Sequence, residues 1–339
     1  METKLLKPTE EAIELACKLL KQGEIVGVPT KTVYGIAGDS RNSEAIKKIF
    51  RAKGRPADNP LIVHISDLEM LKGVVREIPK DAEILAKNFW PGPLTIIMPK
   101  GDKICNETCA GLDSVGVRMP SNPIAHKIIK RSGVPFSAPS ANLSGKPSPT
   151  NAHDVFVDMN GRIPLIIDGG ECQAGVESTV VSVLGDTPTI LRPGVITKEM
   201  LSKALNKEVV VAKAVTEGVK KDEKVLSPGM KYKHYAPKAE VTILKGSIEK
   251  FVSFVEKNKK PFTYVLCFDG EEHLFSIPAI SYGKENDATS QAHNLFTSLR
   301  KLDETPAKIV YARCPETDGV ALAVYNRLIR SAGFKIIEL

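Results

Sequence analysis

The chain has 339 residues, of which 42% are hydrophobic and 26% are charged, a composition typical of a globular protein long enough for two domains. No apolar run approaches the ~18 residues of a membrane span, the polar first residues predict no signal peptide, and the six scattered cysteines form no zinc-binding pattern, so we expect free thiols in the cytoplasm. The net charge of +7 lies within residues 1–238, because residues 239–339 are balanced, and it favours an anionic ligand such as a nucleotide or RNA.

Residues 1–212 alternate between predicted helices and strands, which indicates an α/β domain with a mixed, twisted sheet. Amphipathic periodicity predicts helices over residues 8–22, 43–52, 66–75, 82–88 and 124–132. Short apolar runs bounded by turn-forming residues predict strands over residues 24–29, 61–64, 94–98, 115–120, 134–137, 165–168, 178–183 and 189–192.

The segment 213–238 lacks both periodicities and is predicted to be a basic linker. It contains Tyr232, His234 and Tyr235, and aromatic side chains are uncommon in disordered tethers. We therefore expect the linker to pack on the folded protein and to act as a lid over the active site, with a passive tether between the domains as the alternative.

Residues 239–339 predict a small C-terminal domain. Its pattern gives strands over residues 240–244, 262–268, 308–312 and 334–337, and helices over residues 248–258, 289–302 and 320–331. This order is typical of a mostly parallel, three-layer α/β/α domain of Rossmann-like type. No G-x-G-x-x-G motif follows its first strand, so we expect no dinucleotide site.

Two cations, Lys53 and Arg55, precede a Pro-bounded turn and an apolar strand that carries His64. Arg binds phosphate or carboxylate through two hydrogen bonds and Lys adds a point charge, although a solvated basic turn fits this stretch equally well. More charged and hydroxyl-bearing residues fall at predicted strand ends and loops, where ligands of open α/β sheets gather. They are Thr30, Thr32, Arg118, Ser140, Asn142, Ser178 and Arg192.

Several common catalytic motifs are absent from the sequence. It contains no P-loop and no G-x-S-x-G elbow, and no cluster of Asp, Glu and His that predicts a metal cage built by the protein. With these kinds of site excluded, the sequence predicts a cleft rich in cationic and hydroxyl side chains. Such a cleft suits transfer at phosphorus, where positioning and charge neutralisation supply most of the catalysis.

A series of motifs resembles the YrdC-like family, and the segment 227–237 with the domain after it resembles the family's long, two-domain threonylcarbamoyl-AMP synthases. The likeness spans residues 8–339, and the order of the motifs makes it specific. One departure is Lys31, where family members often have an acid. The motifs are Pro29-Thr-Lys-Thr-Val-Tyr-Gly35, Lys53-Gly-Arg55, Asn59-Pro-Leu-Ile-Val-His64, Trp90-Pro-Gly-Pro-Leu-Thr95, Val117-Arg-Met-Pro120, Ser137-Ala-Pro-Ser-Ala-Asn142, Ser178-Thr-Val and Leu191-Arg-Pro-Gly194.

The resemblance implies that L-threonine, bicarbonate and ATP give threonylcarbamoyl-AMP, pyrophosphate and water, and that the product serves tRNA modification through a downstream transfer complex. It implies Mg²⁺ held mainly by the ATP phosphates, no metal ligands in the protein, and a contact with tRNA. Lys53 and Arg55 are the implied catalytic cations. The implied threonine site is Thr32, His64, Arg118, Ala138 and Ser178, and the implied ATP site is Arg55, Asn59, Ser114, Ser140, Asn142, Ser148, Arg192 and His234 or Tyr235.

Two alternatives stay open at this point. One is an RNA-binding module of the same fold without catalysis, which the low aromatic content of 6% weakens because such modules stack bases on aromatic rings. The other is a carbamoyl-adenylate enzyme like the related domain of hydrogenase-maturation carbamoyltransferases. Those proteins carry zinc-finger and acylphosphatase segments that this sequence lacks.

Overall fold

The computed structural model of the protein describes residues 2–217 and 234–339. The strands of the first range are β1 (Lys4–Leu6), β2 (Val26–Val28), β3 (Gly35–Asp39), β4 (Ile62–His64), β5 (Leu94–Pro99), β6 (Ser114–Arg118), β7 (Phe136–Ser137), β8 (Leu165–Ile167), β9 (Thr179–Ser182), β10 (Thr189–Arg192) and β11 (Val210–Val211). Its helices are α1 (Glu10–Lys21), α2 (Ser43–Lys53), α3 (Leu68–Lys72), α4 (Lys80–Phe89), α5 (Asn106–Cys109), α6 (Pro123–Ser132), α7 (Ala152–Met159), α8 (Lys198–Leu205) and α9 (Ala214–Glu217).

Within residues 2–217, the strands form one mixed sheet in the order β1-β8-β2-β3-β7-β4-β6-β5-β9-β10-β11. Strands β4 and β6 are parallel, with His64 opposite Arg118 in the register, whereas β9 and β10 are antiparallel. The predicted mixed sheet is therefore confirmed. This register also brings two of the predicted site residues together at the ends of neighbouring strands.

The second range forms the C-terminal domain. Its strands are β12 (Glu240–Lys245), β13 (Thr263–Cys267), β14 (Ala279–Ser281), β15 (Ile309–Arg313) and β16 (Ile336–Glu338), and its helices are α10 (Ile248–Asn258), α11 (Ala288–Asp303) and α12 (Ala321–Ser331). Residues 234–339 thus hold a sheet in the order β14-β13-β15-β12-β16, with every pairing parallel. Helix α10 packs on one face of this sheet, while α11 and α12 pack on the other. The predicted three-layer domain is confirmed.

Local signals explain how helix α2 delivers Lys53 to the site. The side chain of Asn42 caps the first turn by accepting from the backbone N–H groups of Glu44 and Ala45, which satisfies donors that have no partner inside the helix. Gly54 ends the helix in the left-handed conformation, with φ +60°, which costs glycine little because it has no Cβ. Lys53 is therefore the last helical residue, and the chain turns directly after it.

Some elements differ from the sequence-based predictions. Strand β3 has the sequence Gly-Ile-Ala-Gly-Asp, whose low strand propensity is overcome by pairing with β2 and β7. Only residues 68–72 of the predicted helix 66–75 are helical, and Gly73 ends them. The helix α9 lies inside the predicted linker. Contacts with the rest of the protein stabilise it, since Ala214 and Val215 are buried and the carbonyl of Val215 accepts from Asn326 Nδ2 at 2.7 Å. Tyr232 and the rest of residues 218–233 of the predicted lid lie outside the described residues.

The two domains pack closely against each other. Val33 and Val176 of the first domain belong to the same apolar cluster as α11 and α12. Gly175, with φ +74°, approaches α11 so closely that a Cβ at this position would lie 2.3 Å from the carbonyl oxygen of Ala292. The close approach requires glycine at position 175. In the described part of the chain, no helix is both long and apolar enough to span a membrane.

Candidate active site

A cavity lies between the ends of the central strands of the first domain and the loops that follow them. It encloses about 760 Å³ of empty space including its open mouth. The structure brings twelve of the residues predicted for the site to its wall. They are Thr32, Lys53, Arg55, His64, Arg118, Ala138, Ser140, Asn142, Ser178, Arg192, His234 and Tyr235.

Arg118 lies at the end of β6 in one corner of the cavity. Its Nε donates to the carbonyl of Gly92 at 3.0 Å, and Nη1 donates to Oγ1 of Thr32 at 2.7 Å. The remaining nitrogen, Nη2, is buried and has no partner among the described residues. A buried guanidinium nitrogen without a partner is costly, so this corner is suited to bind an anionic group of a ligand.

His64 lies beside Arg118 and is almost fully buried. Burial, and secondarily the positive charge of Arg118, lower the pKa of His64 to about 3, and its ring stacks on Phe136 with centroids 5.6 Å apart. The imidazole is therefore neutral at pH 7. It offers a flat, weakly polar surface to the ligand and adds no charge of its own.

Ser178 and Arg192 form a second corner, where the start of β9 meets the end of β10. Arg192 donates from Nε to the carbonyl of Ser178 at 3.1 Å and from Nη2 to its Oγ at 3.2 Å. Thr95 shares a hydrogen bond of 2.8 Å with the same Oγ. These contacts fix the Ser178 hydroxyl and hold the guanidinium of Arg192 at the cavity wall.

Lys53 contacts the loop that follows β7. Its Nζ donates to the carbonyl of Asn142 at 2.8 Å and also to the carbonyl of Ser140. Burial, together with the nearby charge of Arg55, lowers the pKa of Lys53 well below its usual value. In this arrangement Lys53 holds the loop that carries Ser140 and Asn142.

The remaining cations of the wall keep their charge at neutral pH. Arg55 is half-buried at the mouth, where burial lowers its pKa to about 10. Burial lowers the pKa of Arg118 to about 9, and Arg192 contributes to that shift. Both values are above 7, so the cavity carries several positive charges and is suited to an anion.

Three predicted site residues lie away from the wall. Asn59 is buried, and neither its Nδ2 nor its Oδ1 has a partner among the described residues. Ser114 lies in a smaller neighbouring pocket. Ser148 is fully buried and donates its hydroxyl to the Glu177 carboxylate at 2.6 Å.

His234 and Tyr235 border the cavity at its mouth. Burial, followed by the charge of Arg55, lowers the pKa of His234 to about 4, and its Nε2 has no partner among the described residues. The ring of Tyr235 is buried and packs on Phe296 of the C-terminal domain with centroids 5.0 Å apart. Both residues line the cavity, and the ring of Tyr235 in addition anchors the segment to the C-terminal domain.

Sequence reasoning missed one acidic residue at the site. Glu177 is the only acid among the described residues of the wall. Burial raises its pKa, but the charges of Arg327 and Arg192 and the Ser148 hydroxyl outweigh burial and leave the pKa lowered. Its position directly before Ser178 was the available signal. The described residues contain no group of three or more His, Cys, Asp or Glu side chains that could hold a metal ion.

Comparison with known families assigns both parts of the chain. The family described as telomere recombination, Sua5/YciO/YrdC, matches residues 18–194. The family described as threonylcarbamoyl-AMP synthase, C-terminal domain, matches residues 196–333. The boundary between the two matches falls directly after β10 and the Pro193–Gly194 turn.

Relatives match the chain over its whole length. The threonylcarbamoyl-AMP synthase of Bacillus subtilis is 42% identical and covers 98% of this chain and 96% of its own. The threonylcarbamoyl-AMP synthase of Pyrococcus abyssi is also 42% identical, over 97% of this chain and 96% of its own. The solved structure of P. abyssi Sua5 complexed with L-threonine matches with a TM-score of 0.88 and 41% identity, over 100% of this chain and 99% of that one.

Proposed function

The chain belongs to the threonylcarbamoyl-AMP synthase family, and from this premise we propose that its cavity binds L-threonine and ATP side by side and joins them through bicarbonate. The amine of threonine combines with bicarbonate to give a carbamate and water. A carbamate oxygen then attacks the α-phosphate of ATP, pyrophosphate leaves, and threonylcarbamoyl-AMP is formed. The reaction transfers a nucleotidyl group.

The single observation that carries this proposal is the buried Nη2 of Arg118, which has no partner among the described residues. A carboxylate at this corner would accept from it, and the hydroxyls of Thr32 and Ser178 would bind the remaining polar groups of threonine. The neutral ring of His64 and Ala138 would bound the space for its side chain. The related P. abyssi protein was solved in complex with L-threonine, which supports threonine as a ligand of this chain.

The ATP phosphates are assigned to Arg55 and Arg192, with Ser140, Asn142 and His234 or Tyr235 near the rest of the nucleotide. Carbamate and triphosphate are both anions, so they repel each other. Fixed cations in a cavity shielded from water lower that repulsion most when charge develops at the α-phosphate. Lys53 would hold the loop of Ser140 and Asn142, while Asn59, Ser114 and Ser148 would act from just outside the wall.

Mg²⁺ would be held by the phosphates of ATP and not by a protein carboxylate. Glu177 is the one acid among the described wall residues, and its carboxylate is paired with Arg327. The ion would supply charge neutralisation at the phosphates. The product is a reactive mixed anhydride, so a transfer step to tRNA must consume it. The excess of basic residues in positions 1–238 supports a contact with that RNA.

Product analysis tests the proposal. The purified protein, incubated with ATP, Mg²⁺, bicarbonate and L-threonine, should yield threonylcarbamoyl-AMP by mass spectrometry, and pyrophosphate in equal amount. Omission of threonine should abolish both products. Pyrophosphate release at equal rates with and without threonine would overturn the proposal, and RNA binding without turnover would favour the RNA-binding alternative.

A further inference from the structure

One side chain of the C-terminal domain reaches the immediate neighbours of the proposed substrate residues. Arg327 of α12 is fully buried. Its Nε donates to Oε2 of Glu177 at 3.0 Å, and its terminal nitrogens donate to the carbonyls of Pro193 at 2.5 Å and Glu177 at 3.2 Å. Glu177 directly precedes Ser178, and Pro193 directly follows Arg192. The guanidinium of Arg327 therefore binds the backbone next to both proposed substrate residues, Ser178 and Arg192.

Glu177 links this contact to a third proposed site residue. Its Oε1 accepts from the hydroxyl of Ser148 at 2.6 Å, and the residue lies in the cavity wall. A carboxylate at this position would repel the phosphates of ATP if its charge were not balanced, since few water molecules screen charges in a buried site. Arg327 provides that balance.

The backbone around these contacts is tightly packed. A Cβ at Gly194 would lie 2.4 Å from the backbone nitrogen of Thr179 and 2.9 Å from the carbonyl oxygen of Glu177. The Pro193–Gly194 turn and the segment before β9 therefore lie in direct contact, and Arg327 binds both. A displacement of either one would move the side chains of Ser178 and Arg192.

Arg192 is a second cation whose charge acts on Glu177. The charges of Arg192 and Glu177 attract each other, since each shifts the pKa of the other. In the structure, Arg192 directs Nε and Nη2 to Ser178 instead. Loss of Arg327 would leave a buried carboxylate that still attracts the charge of Arg192.

We propose that Arg327 is a positioning residue for ATP, because it occupies Glu177 and thereby keeps Arg192 directed into the cavity. The C-terminal domain then completes the active site of the first domain through one ion pair. This inference rests on the proposed function, since it assigns Arg192 to the ATP phosphates.

Steady-state pyrophosphate release, measured against ATP and against threonine, tests the role of Arg327. Arg327→Met should lower kcat/KM for ATP by about 10²-fold, the size of effect that a small misplacement of substrate causes, and should change the KM for threonine much less. The double variant Arg327→Met with Glu177→Gln should recover part of that loss, because the carboxylate that attracts Arg192 is gone. Arg327→Lys keeps the charge and should fall between Arg327→Met and the unmodified protein.

Arg313→Met provides a matched control. Arg313 is also a buried arginine of the C-terminal domain, and it binds Glu271 and Glu285 away from the cavity, so its loss reports the cost to domain stability alone. If Arg327→Met is too unstable to assay, the Arg327→Lys and double variants decide the question. An unchanged kcat/KM for ATP in Arg327→Met, or in Arg327→Lys where the Met variant cannot be assayed, would overturn the inference, whereas an unmodified protein without threonine-dependent turnover would overturn the proposed function itself.

Discussion

Arg118 and Thr32 are 86 positions apart in the sequence, yet the guanidinium of Arg118 donates to Oγ1 of Thr32 at 2.7 Å inside the cavity. The hydroxyl of Thr30 lies 2.8 Å from the same Oγ1. This chain of contacts fixes the orientation of the guanidinium and leaves its buried Nη2 directed away from the described protein partners. Contacts within the protein thus hold the guanidinium in one orientation, and such rigidity reduces the entropy that binding a ligand costs.

The first prediction concerns Arg118→Lys. Lysine keeps the charge but lacks the planar fork that binds Gly92, Thr32 and a carboxylate together. We expect kcat/KM for threonine to fall by ~10²–10³, as for loss of a preorganised donor, and KM for ATP to change little. Arg41→Lys, at a surface pair with Asp39, should leave both constants unchanged. An equal rise in both KM values would contradict a specific role in binding threonine.

The second prediction concerns Arg55→Ala. Arg55 is half-buried at the mouth and its Nη2 makes one long contact, 3.4 Å, with the carbonyl of Asn59. Its loss should lower turnover by ~10²–10³, because a cation that stabilises the reacting anions is removed. The melting temperature should change little, because this hydrogen bond is long. Turnover and thermal unfolding of the same preparation provide the check, with Lys47→Ala on the exposed side of α2 as control. Near-normal turnover would reject the catalytic role.

The third prediction follows from the lowered pKa of His64, about 3 in the folded protein against ~6.5 in an unfolded chain. Between these values the unfolded chain binds more protons, so stability falls as pH decreases. The contribution of His64 to the free energy of unfolding is fully present above pH ~6.5. Below that pH it decreases by up to about 1.4 kcal/mol per pH unit. Urea unfolding at several pH values should show a weaker acid dependence in His64→Gln, and an acid dependence equal to that of the unmodified protein would contradict this contribution of His64.

The fourth prediction contrasts His234 and Tyr235. His234→Ala should raise KM for ATP without lowering the melting temperature, because its Nε2 has no partner to lose among the described residues. Tyr235→Ala should lower the melting temperature as well, because its buried ring packs on Phe296, and loss of a buried aromatic ring costs ~3–5 kcal/mol. Equal melting temperatures for the two variants would contradict the anchoring role of Tyr235.

The fifth prediction concerns Gly175→Ala at the contact between the domains. The new Cβ would meet the backbone of α11 at 2.3 Å from the Ala292 carbonyl oxygen, at a φ of +74°. Because backbone cannot move aside as a flexible side chain can, we expect a clear loss of melting temperature and of activity. Gly185→Ala has no atom within 4 Å of the added Cβ and should be tolerated. A Gly175→Ala variant as stable as Gly185→Ala would contradict this close approach.

The sequence by itself determined the two domains, the mixed sheet and the parallel sheet. Periodicity is a local signal, so the predicted helix over residues 43–52 agrees with α2 to within one residue. Strand β3 was missed because its glycines give no local signal, and its pairing partners stabilise it instead. The short α9 was missed for the same reason, since contacts with α12 bury it.

Most of the candidate site could also be predicted, because charged and hydroxyl residues at strand ends stand out from the apolar runs around them. Only the tertiary structure showed which of these residues share one wall and that the hydroxyl of Ser148 donates to Glu177. Arg327 gave no signal, since it is 150 positions from Glu177 and lies in an ordinary amphipathic helix. Local patterns depend on neighbouring residues, whereas the partners of a buried charge depend on how the chain brings distant segments together.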